Sequence, residues 1–162
     1  MYSVNKELII RSSSEAVDFA LLKDGKLIEL HKEQETSNFQ VGDIFIAKIR
    51  KPVAGLNAAF VNVGYEKDAF LHYHDLGPNL ASQLKFIKLV SAGKIKDFSL
   101  KNFQFEKEID KDGTITDVLS SNQSVLVQVV KEPISTKGPR ISAELSLAGR
   151  FIVLVPFSDR VS

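Results

Sequence analysis

Three short runs between residues 41 and 74 constrain the fold of this chain more than any other feature. The runs read VGDIFIAKIRK, LNAAFVNVG and KDAFLHYH, with Pro52 and Gly55 in the first gap and Gly64 opening the second. Side chains alternate between the two faces of a β-strand, and glycine and proline interrupt strands. The pattern therefore predicts three short β-strands in succession.

The same alternation predicts which side chains of these strands point away from the core. In AAFVNV and AFLH, every second residue is small or aliphatic, which is typical of a buried face. The inward series is Ala59, Val61, Val63, Ala69 and Leu71. The residues between them include Phe60, Phe70 and His72, so two phenylalanines and a histidine are expected on the outer face.

Further strands are predicted on both sides of this region. NKELIIR, EAVDFALL and KLIELHK precede it, and the Asp24-Gly25 pair indicates a tight hairpin, because glycine adopts the positive φ such a turn needs. Residues 1–40 are thus predicted to form a leading β-hairpin and a polar linker over 33–40. SVLVQVVKE (124–132), RISAELSL and RFIVLVPF follow later.

Residues 78–123 interrupt this series of strands. They are rich in Lys, Ser and Asn, and QLKFIKLVSAG could form a short helix. We expect a long peripheral insertion between the third and fourth strands of a five-stranded Greek-key barrel of the oligonucleotide-binding (OB) type. The prediction is a mainly β protein, with the barrel over 41–139 and its last strand in 140–162.

Composition excludes several classes of protein. The net charge is +1, so any charge-based binding must come from local placement of residues. The chain has no cysteine, which excludes disulfides, thiolate nucleophiles and Cys-ligated zinc. No apolar run has the length of a membrane span, so we expect a soluble cytoplasmic protein without a membrane partner.

Outward aromatic residues on a barrel have two interpretations. Phe60, Phe70 and His72 can form a platform on which unpaired bases stack, while basic residues near them contact phosphates. The basic candidates are Lys48, Arg50, Lys51, Lys137 and Arg140. In the other interpretation, a terminal extension covers the outer face and buries the rings.

Family resemblance favours the first interpretation. Residues 41–147 resemble the S1 RNA-binding domain. KIRKPVAGLNAAFVNVGYEKDAFLHYHDLG together with VQVVKEPISTKGPRISAELSLAGRFIVLVPF resembles, more narrowly, the amino-terminal part of the ribonuclease E/G family of bacterial endoribonucleases. The opening strands resemble that family as well. The resemblance implies that Phe60, Phe70 and Lys137 contact single-stranded RNA, and S1 domains often have an RNA-facing histidine at the position of His72.

The same resemblance sets expectations for what this chain lacks. Family members are several hundred residues long, and metal-binding aspartates in a later nuclease domain cut the RNA. We therefore expect an amino-terminal fragment, ending with the first strands of a truncated 5′-sensing region in 140–162. It would bind RNA without cutting it. No cofactor is expected in this chain. Mg²⁺ would serve the parent enzyme's catalytic domain, and the other domains and a homo-oligomer are possible partners.

Competing sites receive less support from the residues. His72-Tyr73-His74 is a possible metal pair, but a clear third ligand is missing. Asp110-Lys111-Asp112-Gly113 is similar to the start of a calcium loop, but lacks the closing glutamate. A protein-interaction module, whose aromatic face packs on other domains or protomers, remains an alternative. A nuclease centre within these residues would need catalytic groups that the sequence does not suggest.

Overall fold

A computed structural model describes residues 5–34, 39–95 and 100–158. The chain divides into two compact units, Met1–Asn38 and Phe39–Ser162. Within the described ranges, no helix is long and apolar enough to cross a membrane.

The first unit is a three-stranded antiparallel sheet of order β1-β2-β3. Its strands are β1 Lys6–Ser12, β2 Ala16–Lys23 and β3 Lys26–Gln34. The β2–β3 turn has Asp24 at φ 49° and Gly25 at φ 75°, a left-handed conformation that glycine adopts freely and aspartate better than most residues. The predicted hairpin is thus present, and β1 extends it.

The second unit contains a closed five-stranded barrel of order β4-β5-β6-β8-β7. The barrel strands are β4 Ile44–Val53, β5 Ala58–Asn62, β6 Ala69–His72, β7 Ser124–Lys131 and β8 Arg140–Ser142. All neighbours pair antiparallel except β6 and β8, which pair in parallel. A small antiparallel pair, β9 Leu147–Ala148 with β10 Val153–Leu154, follows. The predicted OB-type barrel is confirmed.

Alternation along the strands builds the barrel core as the sequence predicted. Ala59, Val61, Ala69 and Leu71 are fully buried on β5 and β6. They pack with buried residues of the other strands, namely Ile49, Val125, Val127, Val129 and Ile141. Because apolar burial stabilises by about 25 cal/mol per Å², these side chains fix which face of each strand points inward.

Part of the predicted linker belongs to the barrel unit. Phe39 stacks on Phe45, with ring centroids 5.2 Å apart and planes at 17°, and meets Tyr65 edge-on at 5.0 Å. Strand β3 runs to Gln34, and residues 35–38 of the predicted linker lie outside the described residues.

The insertion is not wholly peripheral, so that expectation was wrong. It contains α1 Leu80–Ser91, which includes most of the predicted helix and packs against β7, and the short α2 Ile115–Val118. Leu80, Ile115 and Leu119 join the barrel core, with exposed fractions of 2%, 0% and 3%. They come from a segment with many polar residues, and their burial depends on contacts distant in sequence.

Asn57 and Tyr73 attach the insertion to the barrel. Asn57 Nδ2 donates to the carbonyl of Gly113 at 3.1 Å, and its Oδ1 accepts from the buried Ile115 N–H at 2.7 Å. The Tyr73 hydroxyl donates to the carbonyl of Asp110. Burial raises the pKa of Tyr73, and the nearby Asp110 carboxylate raises it further, so the phenol stays a protonated donor.

Replacing Asn57 should destabilise the protein strongly. Asn57→Ala leaves the Ile115 N–H without its acceptor and places alanine at φ 44°. We expect the free energy of unfolding in urea to fall by about 2–4 kcal/mol. Asn122, at φ 66°, is the matched control because its side chain forms none of the hydrogen bonds seen in the described residues. Asn122→Ala should cost about 1 kcal/mol, and equal losses would contradict this role of Asn57.

Candidate nucleic-acid interface

The two outward phenylalanines lie directly opposite each other on β5 and β6. Phe60 pairs with Phe70 in register, and the ring centroids are 6.1 Å apart with an interplanar angle of 70°. Phe60 is 36% exposed and Phe70 is half-buried. Phe60 is thus partly exposed on the outer face of β5, as the alternation predicts.

His72 continues this aromatic surface along β6. Its ring centroid lies 6.4 Å from that of Phe70, at 33°, and 5.1 Å from that of His74. His72 Nδ1 accepts the backbone N–H of His74 at 3.2 Å, so the neutral ring carries its proton on Nε2. Among the described residues, no group of three or more His, Asp or Glu side chains could hold a metal ion.

Strand register places the phenylalanines in a row that crosses the whole barrel sheet. Neighbouring strands pair Lys51 with Phe60, Phe60 with Phe70, Phe70 with Arg140, and Arg140 with Lys131. Directly paired residues point to the same side of a sheet. Two aromatic rings thus lie between basic side chains on both sides. Lys131 was not anticipated from the sequence, because only the register reveals its place.

A groove runs over the part of this row from Phe60 to Lys131, with the β7–β8 loop as one wall. Its lining residues are Phe60, Lys67, Asp68, Phe70, Lys131, Glu132, Ile134, Ser135, Thr136, Lys137, Gly138 and Arg140. The structure therefore brings Phe60, Phe70, Lys137 and Arg140 together. Lys67 and Ile134 were not predicted as groove residues, because the only pattern they show in the sequence is their position next to turns.

The β7–β8 loop is held in a defined conformation. Ile134 and Lys137 exchange two backbone hydrogen bonds of 3.3 and 3.0 Å around Ser135, which has φ 53°. The next residue, Gly138, passes so close to β6 that an added Cβ would lie 2.2 Å from the carbonyl oxygen of Asp68. The Phe70 N–H donates to the backbone carbonyl oxygen of Pro139 at 2.9 Å. These contacts fix the loop, and with it the Lys137 backbone, beside the rings.

Basic residues around the rings differ in whether an acidic side chain pairs with them. Arg140 donates Nε and Nη2 to the Asp75 carboxylate at 2.9–3.2 Å, and Arg50 Nε lies 3.0 Å from Asp68 Oδ1. No ion pair is seen for Lys51, Lys131 or Lys137 among the described side chains. In the described part of the chain, carboxylates therefore compensate the charge of both arginines but of none of these three lysines.

Lys48 lies apart from the groove. It pairs in register with Asn62 on β5, and its Nζ is 3.4 Å from the carbonyl oxygen of Asn122. Lys48 is not among the residues that line the groove. Its predicted contact with RNA would therefore require RNA to extend beyond the groove along β4.

Comparison with known proteins identifies relatives along nearly the whole chain. The chain is 29% identical to ribonuclease G of Escherichia coli strain K12 over 96% of this chain and 28% of that protein. It is 35% identical to ribonuclease E of Nostoc sp. over 78% of this chain and 15% of that protein. A ribonuclease E/G-like protein of Pyropia yezoensis is 36% identical over 77% of this chain and 19% of its own length. No family model matches the chain.

On these matches, the chain, with its closed five-stranded barrel, is a homologue of ribonucleases. More narrowly, the chain is homologous to ribonucleases G and E, which confirms the resemblance read from its sequence. It spans between 15% and 28% of the length of these relatives.

Gly138→Ala tests the close contact that holds the β7–β8 loop. The new Cβ would meet the backbone of Asp68, which cannot move as a flexible side chain does. We expect the free energy of unfolding to fall by about 1–3 kcal/mol. Gly55→Ala is the control, since an added Cβ there meets nothing within 4 Å. A loss from Gly55→Ala as large as that from Gly138→Ala would contradict the assignment.

Proposed function

We propose that the barrel binds single-stranded RNA, as the RNA-clamping part of a ribonuclease E/G-type endoribonuclease that acts in RNA processing and decay. The observation that carries the proposal is the in-register Phe60–Phe70 pair on the outer face of β5 and β6. In OB-fold barrels, the second and third strands and the loop between the fourth and fifth are the usual surface for oligonucleotides. Here these are β5, β6 and the loop that carries Lys137.

Stacking on the rings supplies affinity that does not depend on sequence. Every base has a π-face, and a base stacked on an aromatic side chain contributes about 1–3 kcal/mol. Since Phe60 and Phe70 meet edge-on, the two rings offer planes in different orientations. Unpaired bases splayed apart suit this surface better than a continuous duplex stack. The preferred partner is therefore an unstructured RNA strand.

Lysines beside the rings supply the electrostatic part of binding. Lys51 and Lys131 flank the row, and Lys137 lies on the groove wall. Each phosphate neutralised on a single strand releases counterions, which contributes about 0.7 to the slope of log K against log salt. His72 adds a hydrogen-bond donor, because its Nδ1 accepts the His74 backbone N–H and its Nε2–H is left to donate.

Cleavage in this proposal belongs to parts of the relatives that the chain does not match. The described residues offer no cluster able to hold the Mg²⁺ that the family resemblance implies. This chain would then hold the strand while other domains of the parent enzyme cut it. Intact RNA on a denaturing gel after incubation with the purified chain is the expected result.

A second candidate is an interaction module that docks other domains or protomers on the same face. The observation in its favour is Ile134, an apolar residue 56% exposed on the groove wall. Light scattering separates the two candidates. A dimer that dissociates on Ile134→Ser, together with absent RNA binding, would support docking and overturn the proposal.

Removing both rings should abolish most RNA affinity. We expect Phe60→Ala with Phe70→Ala to raise the Kd for a short unstructured RNA at least about ten-fold, because the stacking planes are lost. Fluorescence anisotropy measures this. Phe151→Ala is the control, since Phe151 is 85% exposed and lies outside the groove. Unchanged affinity in the double variant would exclude the stacking platform.

Lys137→Ala should act through charge rather than stacking. We expect the log–log salt slope of binding to lose about 0.7, the contribution of one phosphate contact. The matched variant is Lys88→Ala, because Lys88 is an exposed lysine on α1 and is not among the groove residues. Anisotropy titrations at several salt concentrations give the slopes. Identical slopes for the wild-type chain, Lys137→Ala and Lys88→Ala would rule out a phosphate contact at Lys137.

A further inference from the structure

Arg140 lies in line with the two phenylalanines. It is the register neighbour of Phe70, on the side opposite to Phe60, and lines the same groove. Its side chain is 53% exposed. A strand of RNA that stacks bases on Phe60 and Phe70 therefore passes next to this guanidinium if it continues along the row.

The guanidinium of Arg140 is held rigidly by Asp75. Nε donates to Oδ2 at 3.1 Å, and Nη2 donates to Oδ1 and Oδ2 at 3.2 and 2.9 Å. Bonds from two different nitrogens fix both the position and the plane of the group. The Asp75 side chain is only 21% exposed, so the pair is firmly seated.

The backbone of Asp75 is anchored as well. Its carbonyl accepts from the Ala143 N–H at 2.8 Å and from the Ser142 hydroxyl at 2.9 Å. Both donors follow directly after Arg140 and Ile141 in the chain, so their hydrogen bonds join β8 to the turn Tyr73–Asp75, which follows β6, beside the ion pair. The guanidinium plane is thus set before any ligand arrives.

This pairing removes the main advantage of Arg140 as a phosphate ligand. The Asp75 carboxylate compensates its charge and occupies Nε and Nη2, whereas no such ion pair is seen for Lys51, Lys131 or Lys137 among the described side chains. What remains is an exposed planar group and the Nη1 donors. RNA-binding proteins stack unpaired bases on arginine planes as they do on aromatic rings.

We propose that Arg140, oriented by Asp75, is a third stacking plane of the proposed RNA site and contacts a base rather than a phosphate. The inference rests on the proposed function. It differs from the expectation that Arg140 contacts phosphates, and it assigns Asp75 as a positioning residue. The partner remains single-stranded RNA, with one more base engaged beyond those on the phenylalanines.

The test uses short single-stranded RNAs that each carry the fluorescent base 2-aminopurine at one position. Stacking quenches this base. With the wild-type chain, we expect the fluorescence of 2-aminopurine to be quenched at one position of the RNA. With the Arg140→Lys variant, the fluorescence at that position should return, because lysine keeps the positive charge but has no planar group. Asp75→Ala should restore emission at the same position, because the guanidinium is no longer held. Arg150→Lys is the control, since Arg150 is an exposed arginine that does not line the groove.

Affinity and salt dependence provide the second readout. We expect Arg140→Lys and Arg140→Ala to weaken RNA binding by a similar factor, roughly three- to ten-fold, with the salt slope unchanged. Full affinity and quenching in Arg140→Lys would overturn the proposal, as would a slope lowered by about 0.7 in Arg140→Ala, which marks a phosphate contact. A wild-type chain that binds no RNA would instead overturn the proposed function itself. Unfolding in urea confirms that each variant is folded.

Discussion

The two-residue period of β5 and β6 is the constraint on which the rest of the structure depends. Because Ala59, Val61, Ala69 and Leu71 must be buried to fill the barrel, the alternate residues have to point outward. A shift of one residue in either strand would exchange the two faces completely. The burial of small aliphatic side chains therefore holds Phe60 opposite Phe70, and the position of the aromatic surface follows from the packing of the core.

Features set by neighbouring residues could be predicted from the sequence. The alternation of residues predicted the inward and outward faces of the strands, and the Asp24-Gly25 pair predicted the hairpin. Both features depend on local geometry alone. The order of the barrel strands needed the additional knowledge that five short strands with one long excursion close as a Greek key. These elements required no contact between distant parts of the chain to be foreseen.

Contacts between distant parts of the chain could not be predicted in this way. Arg140 and Asp75 are 65 residues apart, and no local pattern indicates that they form an ion pair. Ile115 appears in sequence as one apolar residue in a polar segment, yet it is fully buried. The position of Lys131 beside Arg140 was also unpredictable, because it depends on the register between β7 and β8, which is irregular between Val129 and Lys131.

The aromatic surface of the barrel combines two kinds of side chain, namely positively charged lysines and planar rings or guanidinium groups. Lysines for which the described side chains offer no ion pair flank the rings, while the two arginines nearest to the rings pair with carboxylates. An arrangement of this kind can attract a phosphate backbone through the lysines and hold bases through planar groups. Single-stranded RNA is the ligand proposed for this surface, and the relatives of the chain are named ribonucleases G and E.

A titration followed by NMR tests the central claim most directly. The aromatic side-chain signals of Phe60 and Phe70 would be recorded while a short single-stranded RNA is added to the chain. Stacked bases produce ring-current shifts, so we predict the largest changes at these two rings, with smaller changes at His72 and in the β7–β8 loop. Shifts confined to residues outside the groove, with the signals of both phenylalanines unmoved at saturation, would contradict the account.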